Sequence, residues 1–210
     1  MEIVNLELFI LSIAILTMTP GLDTAIIIKN TARGGLKDGV TTSLGICSGL
    51  FVHASLSAFG VSAILLQSAE LFSTIKIIGA IYLIWMGLSG IFSALKVKSV
   101  SVASSIANKV GTVQSLREGF LSNVLNPKTA VFYFAFLPQF INSQDSIFAQ
   151  SLFLALIHFV IAMLWQSMIA FSLNSAKKVL NNNKLLTIIE TFTGGFLVLI
   201  GLKLITEEYV

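Results

Sequence analysis

The chain has 210 residues, of which 55% are hydrophobic and only 11% charged, and its formal net charge is +3. A soluble domain carries roughly 25% charged residues, so this chain lacks the side chains to cover a water-facing surface in the ordinary way, in keeping with its mean hydropathy of +0.90. That excludes an ordinary soluble enzyme or binding domain and leaves the surplus apolar surface to face lipid. Its one cysteine, Cys47, excludes an intrachain disulfide, a Cys-pair redox centre and a multi-cysteine metal site; set among small residues, it reads as a packing residue.

A bilayer-spanning helix needs about 20 mostly apolar residues, and its backbone groups must bond within the segment. The first such run covers 3–28. Glu2 and Glu7 stand at its start with no Lys or Arg before it, so it lacks the positive region of a cleaved leader and is expected to be retained. Thr19-Pro20-Gly21 interrupts it, and Asp23 follows three residues past the proline. The second run, 40–66, contains no acidic or basic residue and carries His53 and a Gly45-x-x-x-Gly49 spacing. Such a spacing suits close helix contact, either inside a bundle or at a homodimer interface. The third run, 71–95, includes Gly87-Leu88.

Residues 96–115 are polar and rich in Ser and Val and read as a linker. The fourth run, 116–137, is interrupted at Asn126-Pro127, with Lys128 directly after the proline and Asn123 one helical turn before Asn126. The fifth, 147–173, is again uncharged and holds His158, the second of only two histidines. The sixth, 185–205, contains Gly201-Leu202. No alternating ten-residue strands of the membrane-barrel kind occur.

The charges give an orientation. The connections after runs one, three and five carry Lys29, Arg33, Lys37, Lys96, Lys98, Lys109, Arg117, Lys177, Lys178 and Lys184, ten of the 13 basic residues. The basic side is expected to be cytoplasmic, which puts both termini on the opposite side. This layout accounts for the net charge without a nucleic-acid partner.

Proline-interrupted runs one and four, His53 and His158 in runs two and five, and Gly-Leu pairs in runs three and six recur in the same order. They predict a duplicated unit: 1–95 as a first three-helix repeat, 96–115 as a cytoplasmic linker, 116–210 as a second repeat. An odd number of spans per unit inverts the second copy, a plan shared by many secondary transporters. The expected fold is therefore an all-α integral membrane protein of six transmembrane helices, in two inverted three-helix repeats, with helices one and four broken by proline.

Each proline removes an N–H and clashes with the carbonyl four residues back, which is Leu16 for Pro20 and Asn123 for Pro127. Paired breaks of this kind point to a binding site at the repeat interface, and polar side chains stand ready beside both: Thr17, Thr19, Thr24, Ser122, Asn123, Asn126 and Thr129. An ionisable residue within an apolar run is costly and is a functional candidate by default. Asp23 suits a substrate ammonium group or a coupling proton. Lys128 suits a carboxylate, or a pairing with Asp23. His53 and His158 are candidates for proton coupling, and equally for interhelical hydrogen bonding.

These motifs resemble the LysE/Rht-type family of bacterial amino-acid exporters, the LysE family translocators. Thr19-Pro20-Gly21-Leu22-Asp23 is similar to that family's first-helix Pro-Gly-Pro motif followed by Asp or Asn, with Leu22 where a second proline is common, which predicts a milder break. The stretch from 116 to 140, LREGFLSNVLNPKTAVFYFAFLPQF, is similar to its fourth-helix pattern of Gly-Phe, Asn-Pro-Lys, aromatics and Pro-Gln-Phe. YLIWMG at 82–87 and Gly-Leu-Lys at 201–203 also fit. The resemblance covers nearly the whole chain. It implies efflux of amino acids or close derivatives across the bacterial inner membrane, driven by the proton gradient. By position it implies Pro20, Gly21, Asp23, Asn126, Pro127 and Lys128 as site residues, to which the shared helix face adds Asn123.

No phosphate-binding G-x-x-x-x-G-K-[ST] loop is present, so a gradient is the expected energy source, with no cofactor and no resident metal. Export of divalent metal cations or other small metabolites is the alternative transport reading, weakened by the scarcity of carboxylates within the spans. A membrane enzyme would need partnered titratable groups, which the histidines lack in sequence. A non-transport membrane subunit would need neither Asp23 nor Lys128.

Overall fold

The computed structural model describes residues 3–67, 69–95, 111–173 and 183–206. Among them the chain is all-helical, with seven α-helices and no strand beyond an isolated bridge between Ile3 and Ile141. The helices are α1 (Leu6–Met18), α2 (Leu22–Gln67), α3 (Ala69–Leu95), α4 (Thr112–Val124), α5 (Pro127–Val131), α6 (Ile147–Phe171) and α7 (Asn183–Thr206). Between α5 and α6 the chain continues as a π-helical turn, Phe132–Phe136, and a 3-10 turn, Leu137–Phe140.

All six apolar runs are helical over most of their described residues, the exceptions being 3–5, the turn at 172 and the two proline breaks. The first run is α1, a break, and the first limb of α2, which extends to Gly34. There Gly35 bends the helix, with φ 76 and ψ −169, a conformation open essentially to glycine alone. The second limb, 36–67, is the second run. The fourth run is divided into α4, α5 and the two irregular turns. Leu22–Gly60 and Ile147–Phe171 are long and apolar enough to cross a bilayer by composition, with mean hydropathies of 1.3 and 2.3. Residues 96–110 of the expected linker, with Lys96, Lys98 and Lys109, lie outside the described residues. So do Lys177, Lys178, Glu2, Glu207 and Glu208, and the side chains of Glu70 and Lys184.

Helix α2 packs on α4 and α6, α3 on α7, and α1 on α6. Glycine sets how closely two of these pairs approach. A Cβ at Gly45 would strike the Leu116 carbonyl, one at Gly119 would strike the Thr42 carbonyl, and one at Gly49 would meet the Asn123 side chain. On α3 and α7, Gly87 and Gly194 lie against each other's carbonyls, and Gly201 lies against that of Ala80. The Gly45-x-x-x-Gly49 spacing therefore serves a contact within the bundle. Small residues are how helices in lipid gain van der Waals contact, since apolar burial provides little drive there.

The outer surface agrees with that environment. Phe59, Leu164, Phe171 and Leu199 are each more than 60% exposed, an arrangement that would be a liability in water.

The two ends of the bundle are closed differently. At one, Phe9 packs on Phe132 and Phe140, with Phe136 beside them, and Val4 N–H donates to the Phe140 carbonyl at 3.0 Å. At the other, Arg33 on the first limb of α2 meets Glu118 on α4 at 3.1 Å and donates to Ser115 at 3.0 Å. Lys29 reaches the same carboxylate at 3.3 Å, and Gln114 donates to it at 2.8 Å.

Three glycines make this packing testable. Gly35→Ala is expected to cost about 1–3 kcal/mol, the usual size of strain in a glycine-only conformation. Gly119→Leu drives a side chain into the α2 backbone and is expected to cost at least about as much. Gly195→Ala, with nothing near its Cβ, should be neutral. Thermal unfolding in detergent, followed by tryptophan fluorescence, separates them; equal midpoints for all three would sink the close-packing account.

Candidate functional site

The breaks in the first and fourth runs face each other, and each is completed by side chains from the other. Helix α1 ends at Met18, and Thr19 turns to extended backbone with φ −64 and ψ 118. Pro20 has no N–H for the Leu16 carbonyl, as the sequence predicts. The Lys128 ammonium group takes that place, donating to the Leu16 carbonyl at 3.2 Å and the Thr19 carbonyl at 3.3 Å. A cation is favoured there for a second reason, since the C-terminal end of a helix carries partial negative charge.

The reciprocal contact runs through Asp23 in the first turn of α2, where the helix dipole favours an anion. Ser122 Oγ donates to one of its carboxylate oxygens at 3.1 Å. Asn123 Nδ2 and Asn126 Nδ2 donate to the other at 3.2 and 3.3 Å. Asn126 also caps α5, its Oδ1 accepting from the Lys128 backbone N–H at 3.0 Å. Placing Pro127 at the first position of α5 costs no hydrogen bond, because that N–H would have no helical partner.

The Asn123 carbonyl, four residues before Pro127, accepts from the Asn126 N–H at 2.9 Å and from His53 Nε2 at 2.9 Å. His158 stands near the other break, its Nε2 3.1 Å from Thr17 Oγ1 and its Nδ1 3.1 Å from the Tyr133 hydroxyl. The Tyr133 ring stacks with both histidines, at 5.9 Å between centroids in each case. Both histidines thus make interhelical contacts, and Tyr133 joins them.

Asp23 and Lys128 make no ion pair with each other; each is turned to partners of its own. They do share a small, partly open cavity of about 30 Å³, walled also by Thr17, Asn123, His158 and Gln166. A larger cavity of about 390 Å³ lies on the α3 and α7 side of the Pro20 break, and Lys128, Thr19 and Gly21 border both.

Pro20, Gly21, Asp23, Asn123, Asn126, Pro127 and Lys128 therefore come together at one place, with His53 and His158 touching its edge. Sequence reasoning missed Tyr133, Gln166 and the Arg33–Glu118 pair. Gln166 lies eight residues after His158 on α6, so helical periodicity puts it on the same face. Tyr133 is hidden within an aromatic run. Leu22 does not soften the break as expected: it opens α2 at a position whose N–H has no helical partner in any case.

The family model described as LysE type translocator matches residues 14–208. An uncharacterized membrane protein, YrhP of Bacillus subtilis (strain 168), is 35% identical over 195 residues, covering 90% of this chain and 93% of that protein. A leucine efflux protein of Enterobacter sp. (strain 638) is 27% identical over 171 residues, 81% of this chain and 80% of its own. A threonine efflux protein of Escherichia coli (strain K12) is 26% identical over 193 residues, 91% and 92% of the two chains. No solved structure matches the chain.

The substitution of a lysine for a missing amide can be tested by a double-mutant cycle. Lys128→Met is expected to destabilise the fold by about 1–3 kcal/mol, the cost of a buried carbonyl without a donor. Pro20→Ala restores an N–H for the Leu16 carbonyl, so in the Lys128→Met background it should recover part of that loss. Strictly additive effects of the two substitutions on the unfolding midpoint would show that the two sites are not linked in this way.

Proposed function

The chain belongs to the LysE type translocator family, and from that premise we propose that it is a secondary transporter exporting amino acids or close derivatives from the bacterial cytoplasm. The observation that carries this reading is the facing pair of broken helices, with an ammonium group on one side and a carboxylate on the other. The efflux proteins among its relatives, named for leucine and threonine, support the substrate class. A divalent-cation substrate has less support, since among the described residues no three His, Cys, Asp or Glu side chains gather.

The proposed architecture is six spans in two inverted halves, 1–95 and 116–210, joined by a cytoplasmic linker, with both termini on the other side of the inner membrane. Several contacts fall in matched pairs, which supports it. His53 of the first half bonds to the break in the second, and His158 of the second stands at the break in the first. Gly87, of the first half's Gly-Leu pair, meets Gly194 in the second half, and Gly201, of the second half's pair, meets Ala80 in the first.

The site is built to take a zwitterion. Its own charges already sit against substitute partners: the Lys128 ammonium on helix-end carbonyls, the Asp23 carboxylate on neutral amide and hydroxyl donors. An incoming carboxylate draws Lys128 away, and the carbonyls it leaves accept the substrate ammonium group, with Asp23 beside them. The exchange brings no net charge into the membrane, where an unmatched charge is costly. Transport then requires the ends to open in turn, the Arg33–Glu118 end toward the cytoplasm and the aromatic end away from it.

Coupling to protons is assigned to Asp23, with His53 and His158 as further candidates. Protonated, Asp23 is a poorer acceptor for Ser122, Asn123 and Asn126, so a proton loosens the link between the two halves.

Efflux of labelled amino acids from proteoliposomes, with and without an imposed pH gradient, tests this reading. Gradient-dependent efflux of one or a few amino acids is expected. Asp23→Asn and Lys128→Met should each lower the rate at least tenfold, the equivalent of about 1.4 kcal/mol of lost interaction. Folded protein that moves no amino acid would overturn the exporter reading.

A further inference from the structure

The small cavity between Asp23 and Lys128, about 30 Å³, has room for roughly one or two water molecules. It can take at most one charged group of a small solute and no side chain. The side chain must lie elsewhere, and a neighbouring space that borders the same lysine is the cavity of about 390 Å³ on the α3 and α7 side, within the range of about 300–1,000 Å³ usual for small-molecule sites.

The walls of that space are selective in kind. Leu22, Trp85, Met86 and Leu197 give it apolar faces, and Ser89 and Thr193 are neutral. No aspartate or glutamate is among the described residues that line it, and Lys128 is its cation. A lysine or arginine side chain placed there would find no counter-charge among these described lining residues and would be repelled by Lys128. An acidic side chain would compete with the substrate's own α-carboxylate for the same ammonium group. A buried charge without a partner is strongly disfavoured, whereas aliphatic and aromatic side chains gain contact with Leu22, Trp85, Met86 and Leu197.

We propose that this cavity is the side-chain pocket of the exporter and that it selects amino acids with uncharged, apolar side chains. The proposal rests on the exporter reading and deepens it, making Trp85 and Ser89 specificity-determining residues. Trp85 is 60% exposed, so replacing it threatens the fold little.

The test has two arms. In the first, proteoliposome efflux is compared for leucine, phenylalanine, alanine, lysine and glutamate. Leucine and phenylalanine should be exported at least tenfold better than lysine or glutamate, a discrimination of about 1.4 kcal/mol or more. Ser89→Asp, which adds a carboxylate to the pocket, should gain lysine export and lose leucine export. Trp85→Ala should shift the preference from leucine toward phenylalanine. In the second arm, a thiol is placed at the wall by Trp85→Cys in a Cys47→Ala background, and its labelling by a maleimide is timed. Leucine should slow the labelling and lysine should not.

Export of lysine as fast as leucine, with ratios unchanged by Ser89→Asp and Trp85→Ala, would overturn the pocket proposal and leave the exporter standing. So would persistent leucine efflux with no amino acid protecting position 85, the result expected if lipid fills the cavity. Absence of all efflux and of all protection would overturn the exporter reading, and this proposal with it.

Discussion

The contact between the Lys128 ammonium group and the carbonyls of Leu16 and Thr19 is the one on which the rest of this architecture depends. A helix interrupted by proline in lipid must find a donor for the freed carbonyl, because the hydrocarbon offers none. In most proteins water or a neighbouring hydroxyl would supply it. Here the donor is a full charge on another helix that is itself interrupted by proline. Neither break can then relax alone, since moving α5 strips the end of α1. The Asp23 contacts with Ser122, Asn123 and Asn126 run the other way across the same gap, so the two segments hold each other's irregular backbone in place. Two charges that would each be expensive in a membrane are kept with partners, without being spent on one another.

The closures at the two ends differ in how easily they part. Phe9, Phe132, Phe136 and Phe140 are buried, and separating them strips large aromatic surfaces of contact, which favours a tight seal. The Arg33–Glu118 contact is shared with Lys29 and Ser115. The Lys29 and Glu118 side chains are 51% and 20% exposed, so water can replace their bonds as they open, and the net gain from such pairs is small. Arg33 is the exception, with a side chain only 4% exposed, and its Nε has no hydrogen-bond partner. Its terminal nitrogens bond to Glu118 and Ser115, so this guanidinium group, unlike Lys29, must be separated from protein partners before water can replace them when the end opens.

Much of this was legible in the sequence, because it follows from covalent chemistry. Pro20 and Pro127 dictate which carbonyls lose their usual helical donor, and both of those carbonyls receive donors from other helices, that of Asn123 in addition to the Asn126 N–H. Asp23 and Lys128 stand out because a charge in an apolar run needs a reason. The partners were not legible. Whether Lys128 turns toward Asp23 or toward the Leu16 carbonyl depends on distances between helices that are far apart in the chain, and no local pattern encodes them. Glu118 was not legible because it sits beside Arg117, among the basic residues expected to lie on one side, where a charge looks solvated. Tyr133 escaped because the π-helical turn that turns its carbonyl toward Ser57 and its hydroxyl toward His158 has no sequence signature of its own.

Leu22 shows how a departure from a family pattern is better judged by position than by residue type. A second proline there looks as if it should deepen the break, and leucine as if it should soften it. But Gly21 is the residue before the first turn of α2, its carbonyl accepting from the Ala25 N–H at 3.0 Å, so Leu22 occupies the first helical position. Proline is well tolerated at that position because the N–H there has no intrahelical acceptor. Exchanging proline for leucine therefore changes the hydrogen-bond pattern very little, and Pro20 alone sets the break. What the exchange does change is surface. The Leu22 side chain is 63% exposed and borders the larger cavity, adding an aliphatic face beside Lys128 where a proline ring would present a smaller, fixed one. Between proteins that share the broken helix, this position can alter what fits beside the site without disturbing the contacts that hold it together.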